Sequence, residues 1–287
     1  MRLIPGGSFE MGNGRGYGFP ADGEGPVHPV ELSAFWMDET VVTNEQFNEF
    51  INRTAYRTDA ERFGWSYVFI GHLSKAQIAN SVKQVVQGSE WWCRVDGATW
   101  RHPDGHGSTI KKRWSDPVVH VSWNDSQAYC AWAGKRLPTE AEWEFAARGG
   151  LPPGNRFPWG DDLEPKGKHR MNVWQGAFPT VNTEADGYFG TAPARSFPAN
   201  GYGLYHVTGN VWEWCWDFFD STYYSKSPRR DPIGPITGER RVMRGGSYLC
   251  HASYCDRYRV DARSSNSADS TTTNLGFRCV SDVAPCS

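Results

Sequence analysis

No run of this 287-residue chain approaches the ~18 apolar positions that a bilayer-crossing helix needs, and residues 1–30 contain no hydrophobic signal-peptide core. A membrane span is therefore not expected, and the chain begins almost directly on its domain. An excess of one charge is also missing. The 30 Lys and Arg stand against 32 Asp and Glu, both signs scattered, so neither nucleic acid nor an anionic membrane is implied as a partner. Nothing repeats and no linker divides the chain. A single domain over residues 1–287 is expected, although a prior of ~150 residues per domain would suggest about two. The glycines at 12, 14, 16 and 18 miss the G-x-G-x-x-G spacing and precede no βαβ pattern, which argues against a dinucleotide loop. Zinc ligands in a closed set of four are absent as well: two cysteines lie close together, but with no third Cys and no H-x3-H partner.

What is present is aromatic and irregular. The 14 Trp can build a core from few residues, while 31 Gly and 18 Pro rule against long helices or a large regular sheet. Residues 2–12 predict a strand broken at Pro5-Gly6-Gly7, and residues 30–36 another strand by partial alternation. Thr43-x-x-Gln46 is a capping box ahead of Phe47, Phe50 and Ile51; Ser74-x-x-Gln77, with Ile78, Val82 and Val85, predicts a second short helix. Residues 91–116 read as loop, with His102 and His106 solvated within it. Ser122 is expected to cap a helix over 123–133 that Gly134 ends, and Thr139-x-x-Glu142 opens the next through Ala147. Trp123, Trp132 and Trp143 are expected in the core, and residues 152–200 are expected to lack regular structure. By pattern alone the class is α+β, with short elements and extended loops. Asn52-Arg-Thr54 and Asn124-Asp-Ser126 match the N-glycosylation pattern, as chance also produces.

Residues 241–263, RVMRGGSYLCHASYCDRYRVDAR, hold the chemistry. RVMR reads as a short strand ending at Gly245-Gly246, where a backbone without Cβ atoms can turn tightly. Cys250 and Cys255 come next as C-x4-C. Two thiols this close are a structural disulfide, a redox dithiol or a two-sulfur metal site, and low-coordinate soft sulfur suits Cu(I) better than Zn2+. Spacing alone leaves the three open.

The wording of the chain resembles the formylglycine-generating enzymes, or sulfatase-modifying factors. The phrases are GGSFEMG at 6–12, HVSWNDSQAYCAWAGKRLPTEAEWEFAARGG at 120–150, FPWG at 157–160, NVWQGAFP at 172–179, GYGLYHVTGNVWEW at 201–214, GGSYLCHASYCDRYR at 245–259 and NLGFRC at 274–279. The resemblance spans nearly the whole chain. It implies a single domain with the family's variant of the C-type-lectin-like fold, acting as a monomer. It also implies an oxidase that converts the cysteine of a C-x-P-x-R or C-x-A-x-R segment in an unfolded sulfatase to Cα-formylglycine, consuming O2 and a thiol reductant.

By that likeness Cys250 and Cys255 hold Cu(I) and receive the substrate thiol. Ser247, Tyr254 and Asn274 line the pocket with Trp212 as a wall, Thr271 replaces a usual serine, and Arg257 and Arg259 orient the loop. A structural Ca2+ is implied at Asn172 and Asp186 with the carbonyls of Val173 and Tyr188. A second set maps to Gly209, Val211 and Glu213, but His206 stands where the family has Asn, and imidazole is a poor calcium ligand. Cys130 and Cys279 match a family disulfide, worth ~4 to 5 kcal/mol on the chain-entropy model. Cys93, Cys215 and Cys286 have no assigned partner. The bridge, the sequons and the calcium site suit the endoplasmic reticulum lumen or secretion, against which stands a bacterial cytoplasm. Two other functions remain open: a catalytically silent binder of sulfatases or other ligands with the same fold, and a sulfoxide synthase. The latter would need an extra helical domain with histidine ligands, for which there is no room ahead of Gly6.

Overall fold

The computed structural model describes residues 1–284, with backbone alone over 80–84. The chain opens with β1 (Arg2–Ile4), β2 (Gly7–Met11), β3 (His28–Leu32) and β4 (Phe35–Met37), then α1 (Asn44–Thr54), α2 (Asp59–Phe63) and β5 (Trp65–Phe69). Next come α3 (Lys75–Ser81), β6 (Val82–Val86), β7 (Ser89–Asp96), α4 (Trp123–Trp132) and α5 (Glu140–Arg148). The two-residue strands β8 (Gly176–Ala177) and β9 (Val181–Asn182) precede β10 (Trp212–Phe218), β11 (Arg240–Arg244), β12 (Arg263–Ser267), β13 (Leu275–Gly276) and β14 (Val280–Ser281). This is the α+β, loop-rich architecture that the sequence predicts.

The sheet that matters runs β12-β11-β10-β13, antiparallel except for the parallel β10–β13 edge. Helix α5 packs against β10 and β11, so this sheet lies between α5 and the cavity described below. Two clusters of buried apolar side chains flank it. One gathers Phe47, Phe50, Trp100, Tyr129, Trp212 and Trp214; the other gathers Phe35, Trp143, Tyr224 and Val242. Buried charge joins them: Glu140 and Glu144 of α5 grip Arg244 at the end of β11, Arg263 at the start of β12, and Arg148.

The three predicted capping boxes are formed, at Thr43/Gln46, Ser74/Gln77 and Thr139/Glu142, and the expected Ser122 cap closes on Asp125. Several expectations differ from the structure, among them the lack of regular structure in residues 152–200, where β8 and β9 form. The strand expected over 30–36 is two strands, because Ser33 binds Asp231 and the backbone there presses on Gly6, whose added Cβ would meet Leu32 O at 2.6 Å. The helix opened by Ser74 ends at Ser81, and Val82 and Val85 fall on β6, where β-branched residues favour pairing with β7. Trp91 to Asp96, read as loop, are β7, the centre of the β5-β7-β6 sheet. Helix α2 is not among the expected elements, though Thr58-x-x-Glu61 is a capping box that signals it. Trp143 is buried as expected, whereas Trp132 is 39% exposed. Among the described residues no helix is long and apolar enough to cross a membrane.

Candidate functional site

Arg244 ends β11 with its guanidinium wholly buried, and the chain then reverses through Gly245 (φ 91°) and Gly246 (φ 70°). A Cβ on Gly246 would lie 2.8 Å from Tyr258 Cα, so only glycine lets the two ends of the loop approach. Two local hydrogen bonds fold the loop beyond it: Cys250 N–H donates to Ser247 O (2.9 Å) and Cys255 N–H to His251 O (2.7 Å). They bring Cys250 Sγ and Cys255 Sγ to 2.7 Å, longer than a ~2.05 Å disulfide bond, with both cysteines free and buried.

The thiols open on a cavity of about 170 Å³. Its walls bring together six residues that the sequence singles out, Cys250, Cys255, Ser247, Tyr254, Asn274 and Trp212. Tyr254 stacks on Phe178 (centroids 4.4 Å apart, planes 4° apart) and meets Trp91 edge-on at 4.7 Å. Sequence reasoning misses Trp91 and Trp92 because their tract reads as loop; their alternation with Cys93 and Val95 is the signal that could have found them. Thr271 does not line this cavity. Its hydroxyl pairs with Ser66 Oγ (2.7 Å), and Thr272 beside it lines the wall instead.

Arg257 is the one side chain lining the cavity, other than the thiols and Tyr254, that carries an ionisable group. Its Nη1 lies 4.0 Å from Cys255 Sγ, while Asp22 holds Nε and Nη2, and Phe19 covers the guanidinium at 3.9 Å. Burial pushes the Cys250 thiol well above the usual thiol range. Cys255 is drawn the other way, first by the hydrogen bond from Cys250 and then by Arg257, so Cys255 carries the first thiolate. Arg259 faces away, buried against Glu24, Asp256 and Asp261.

The loop of residues 172–190 touches the thiol segment: Trp174 N–H donates to Cys250 O (3.1 Å), and Phe178 is the ring under Tyr254. At the base of this loop Asp186 accepts the N–H groups of Val173 and Tyr188, both at 3.0 Å, together with the Gln175 amide. Asn172 Oδ1 is buried with no partner, although its Nδ2 donates to Gly190 O and Asn210 Oδ1. An orphaned, buried carboxamide oxygen is the kind of hard donor that a Ca2+ ion takes.

The second calcium set does not fit. Glu213 spends both carboxylate oxygens on Arg278 (2.6 Å each) and accepts the Trp143 indole N–H (2.8 Å). His206 sits in the left-handed region (φ 49°), and burial lowers its pKa to about 4. Gly209 and Val211 are therefore read as packing positions. Cys130 and Cys279 are free thiols with Sγ atoms 3.2 Å apart, both buried. Cys93 and Cys215 are buried singly, and Cys286 lies outside the described residues. Among the described residues no three His, Cys, Asp or Glu side chains cluster as a metal site, so no further side chain of those four types joins the two thiols at the cavity.

Comparison with known proteins gives a family match over residues 1–283 to the sulfatase-modifying factor enzyme 1-like domain. The chain is 59% identical over 280 residues to the formylglycine-generating enzyme of Streptomyces coelicolor, covering 98% of this chain and 88% of that one. It is 46% identical to inactive C-alpha-formylglycine-generating enzyme 2 of Bos taurus, covering 98% and 87%. Among solved structures, PvdO from Pseudomonas aeruginosa superposes with a TM-score of 0.71 at 24% identity, covering 98% and 93%, which shows the fold.

Proposed function

The chain belongs to the sulfatase-modifying factor enzyme 1-like family, and from that we propose that it is a copper-dependent oxidase converting the cysteine of a sulfatase C-x-P/A-x-R segment to Cα-formylglycine. The observation that carries this is the pair of thiols 2.7 Å apart in a cavity whose nearby cation is Arg257. Two soft sulfurs with no further His, Cys, Asp or Glu beside them among the described residues fit Cu(I), held by Cys250 and Cys255. When bound, copper supplies a soft, redox-active centre where a substrate thiol and O2 can react.

The chain's own residues do the rest. Trp212 and Leu275 wall the cavity against water, Tyr254 is fixed by Phe178 and Trp91, and Ser247 and Asn274 present polar atoms beside Cys250. A neighbouring cavity of about 530 Å³ shares Trp92, Asn266 and Thr272 with the first, offers Trp65 and Tyr67 as an aromatic floor, and carries Asp269. An unfolded segment entering cysteine-first would lay its Pro on the aromatic floor and its Arg toward Asp269. In the balanced reaction, one peptidyl cysteine, one O2 and two reductant thiols yield the aldehyde, hydrogen sulfide, water and a disulfide.

The test is a C-x-P-x-R peptide incubated with the protein, O2 and a thiol reductant, with and without copper. Aldehyde is expected only when copper and O2 are both present, read as the mass change of the peptide. Unmodified peptide under every condition would instead place the chain with its inactive relative as a silent sulfatase binder.

A structural Ca2+ at Asn172 and Asp186, with the main-chain oxygens of Val173 and Tyr188, belongs to the same reading. Asp186→Ala is expected to lower the melting temperature and abolish the destabilisation that a chelator causes in the wild type. Because Trp174 bonds Cys250, peptide turnover should fall as well. Melting curves that ignore chelator at every pH and temperature tried would refute the site. Cys130 and Cys279, 3.2 Å apart, are close enough to join as the family disulfide in an oxidising compartment.

A further inference from the structure

Three polar side chains of the cavity form one directional chain. Thr272 Oγ1 donates to Asn274 Oδ1 (2.7 Å), and Asn274 Nδ2 donates to Ser247 Oγ (2.9 Å). Ser247 Oγ also accepts the Leu249 N–H at 3.3 Å. A hydroxyl has two acceptor lone pairs and one hydrogen. Both lone pairs of Ser247 are thus engaged, and its hydrogen remains for the cavity that Ser247 lines beside Cys250.

We propose that Thr272 is a positioning residue that locks the Asn274 amide with its NH2 toward Ser247, so that Ser247 meets the incoming substrate as a hydrogen-bond donor. With the amide turned by half a revolution, the Thr272 hydroxyl would have to give up its donation and accept the NH2 instead, the amide oxygen would take the Ser247 hydrogen, and the serine would present the cavity with an acceptor. Anionic sulfur, or oxygen gaining electrons, is stabilised by a donor and repelled by an acceptor. A single hydroxyl two residues from Asn274 therefore sets the polarity of the cavity where charge develops.

The backbone around Thr272 is fixed independently of that hydroxyl. His120 N–H donates to Thr272 O (2.9 Å), Thr273 N–H to Tyr67 O (3.2 Å), and Ser66 Oγ to Thr271 O (2.9 Å). Removing the hydroxyl alone should leave this segment in place.

This inference rests on the proposed oxidase activity, and its test separates the two. Thr272→Val keeps the shape and deletes the donor; Thr272→Ser keeps the donor. With the copper-loaded protein and a C-x-P-x-R peptide, Thr272→Val is expected to lower kcat about tenfold while leaving KM and Cu(I) affinity within about twofold. Thr272→Ser should restore kcat. In a Ser247→Ala background Thr272→Val should cost nothing further, since its effect passes through Ser247. In the full-length protein before copper loading, the Asn274 side-chain NH2 signals should shift and exchange faster with water in Thr272→Val, and return in Thr272→Ser. A wild-type protein that makes no aldehyde would defeat the oxidase reading, and the NH2 signals would still decide this one. Unchanged NH2 signals, or a kcat loss that persists in full on the Ser247→Ala background, overturns the proposal.

Discussion

Serine in place of either Cys250 or Cys255 is expected to cut aldehyde formation by on the order of 10³-fold or more, and the double replacement should be little worse than either single one. The reason is the donor set. If Cys250 and Cys255 hold the copper as proposed, losing one removes half of the thiolate coordination, and a serine hydroxyl stays protonated at neutral pH. The wild type should bind one Cu(I) per chain, and each variant should lose that binding. Zn2+ should bind poorly throughout, because two sulfurs leave its tetrahedral shell half filled. Substrate peptide should still bind the variants through the neighbouring cavity with Trp65, Tyr67 and Asp269, so binding and turnover separate. The assay is Cu(I) titration against a chromophoric chelator beside peptide mass. A Cys250→Ser protein with wild-type aldehyde output and copper supplied would return the pair to a structural role.

The elements the sequence announces best are those whose signal is local. A capping box needs only residues three apart, and α1, α4 and α5 begin where their boxes stand. The C-x4-C pair is equally local, since two i-to-i+3 and i-to-i+4 backbone bonds bring the sulfurs together. The far wall of the cavity is not local. Trp91 and Trp92 reach it through β7, which is held by β5 and β6, and no short-range pattern reports that pairing. Arg257 is the plainest case: its partner Asp22 is 235 residues away in sequence, just past the glycines at 12–18. The shift from Thr271 to Thr272 has a similar cause, since which of two adjacent hydroxyls faces a cavity depends on Ser66 and His120 behind the strand.

The same long-range logic puts the largest stability effect at Glu140. Its carboxylate accepts Arg244 Nη1 (2.9 Å), Arg263 Nε (2.8 Å), Arg263 Nη2 (2.7 Å) and Tyr224 O–H (3.1 Å), with all four residues at 2% exposure or less. Glu140→Ala leaves two buried guanidiniums short of a counter-charge, at a cost of about 3–5 kcal/mol, against a total stability of roughly 5–15 kcal/mol. The expected fall in Tm is about 6–20 °C, taking ~2–4 °C per kcal/mol for a chain this size. Copper affinity should drop too, because Arg244 anchors the strand from which the thiol loop departs. Asp217 modifies the result. Its carboxyl accepts the Glu140 N–H at 2.7 Å and is pushed up to about 8, first by burial and then by the Glu140 charge, so it is mostly neutral at pH 7. Removing Glu140 removes that repulsion and exposes Asp217 to an unpaired Arg263. Its pKa then falls, it ionises, and it supplies part of the lost negative charge. Asp217→Asn alone should therefore cost little at pH 7, since it replaces a group already uncharged. In combination with Glu140→Ala it should cost more than the sum of the two. Urea unfolding of the wild type, both single variants and the double variant closes the cycle. Strict additivity would show that Asp217 does not take up the charge.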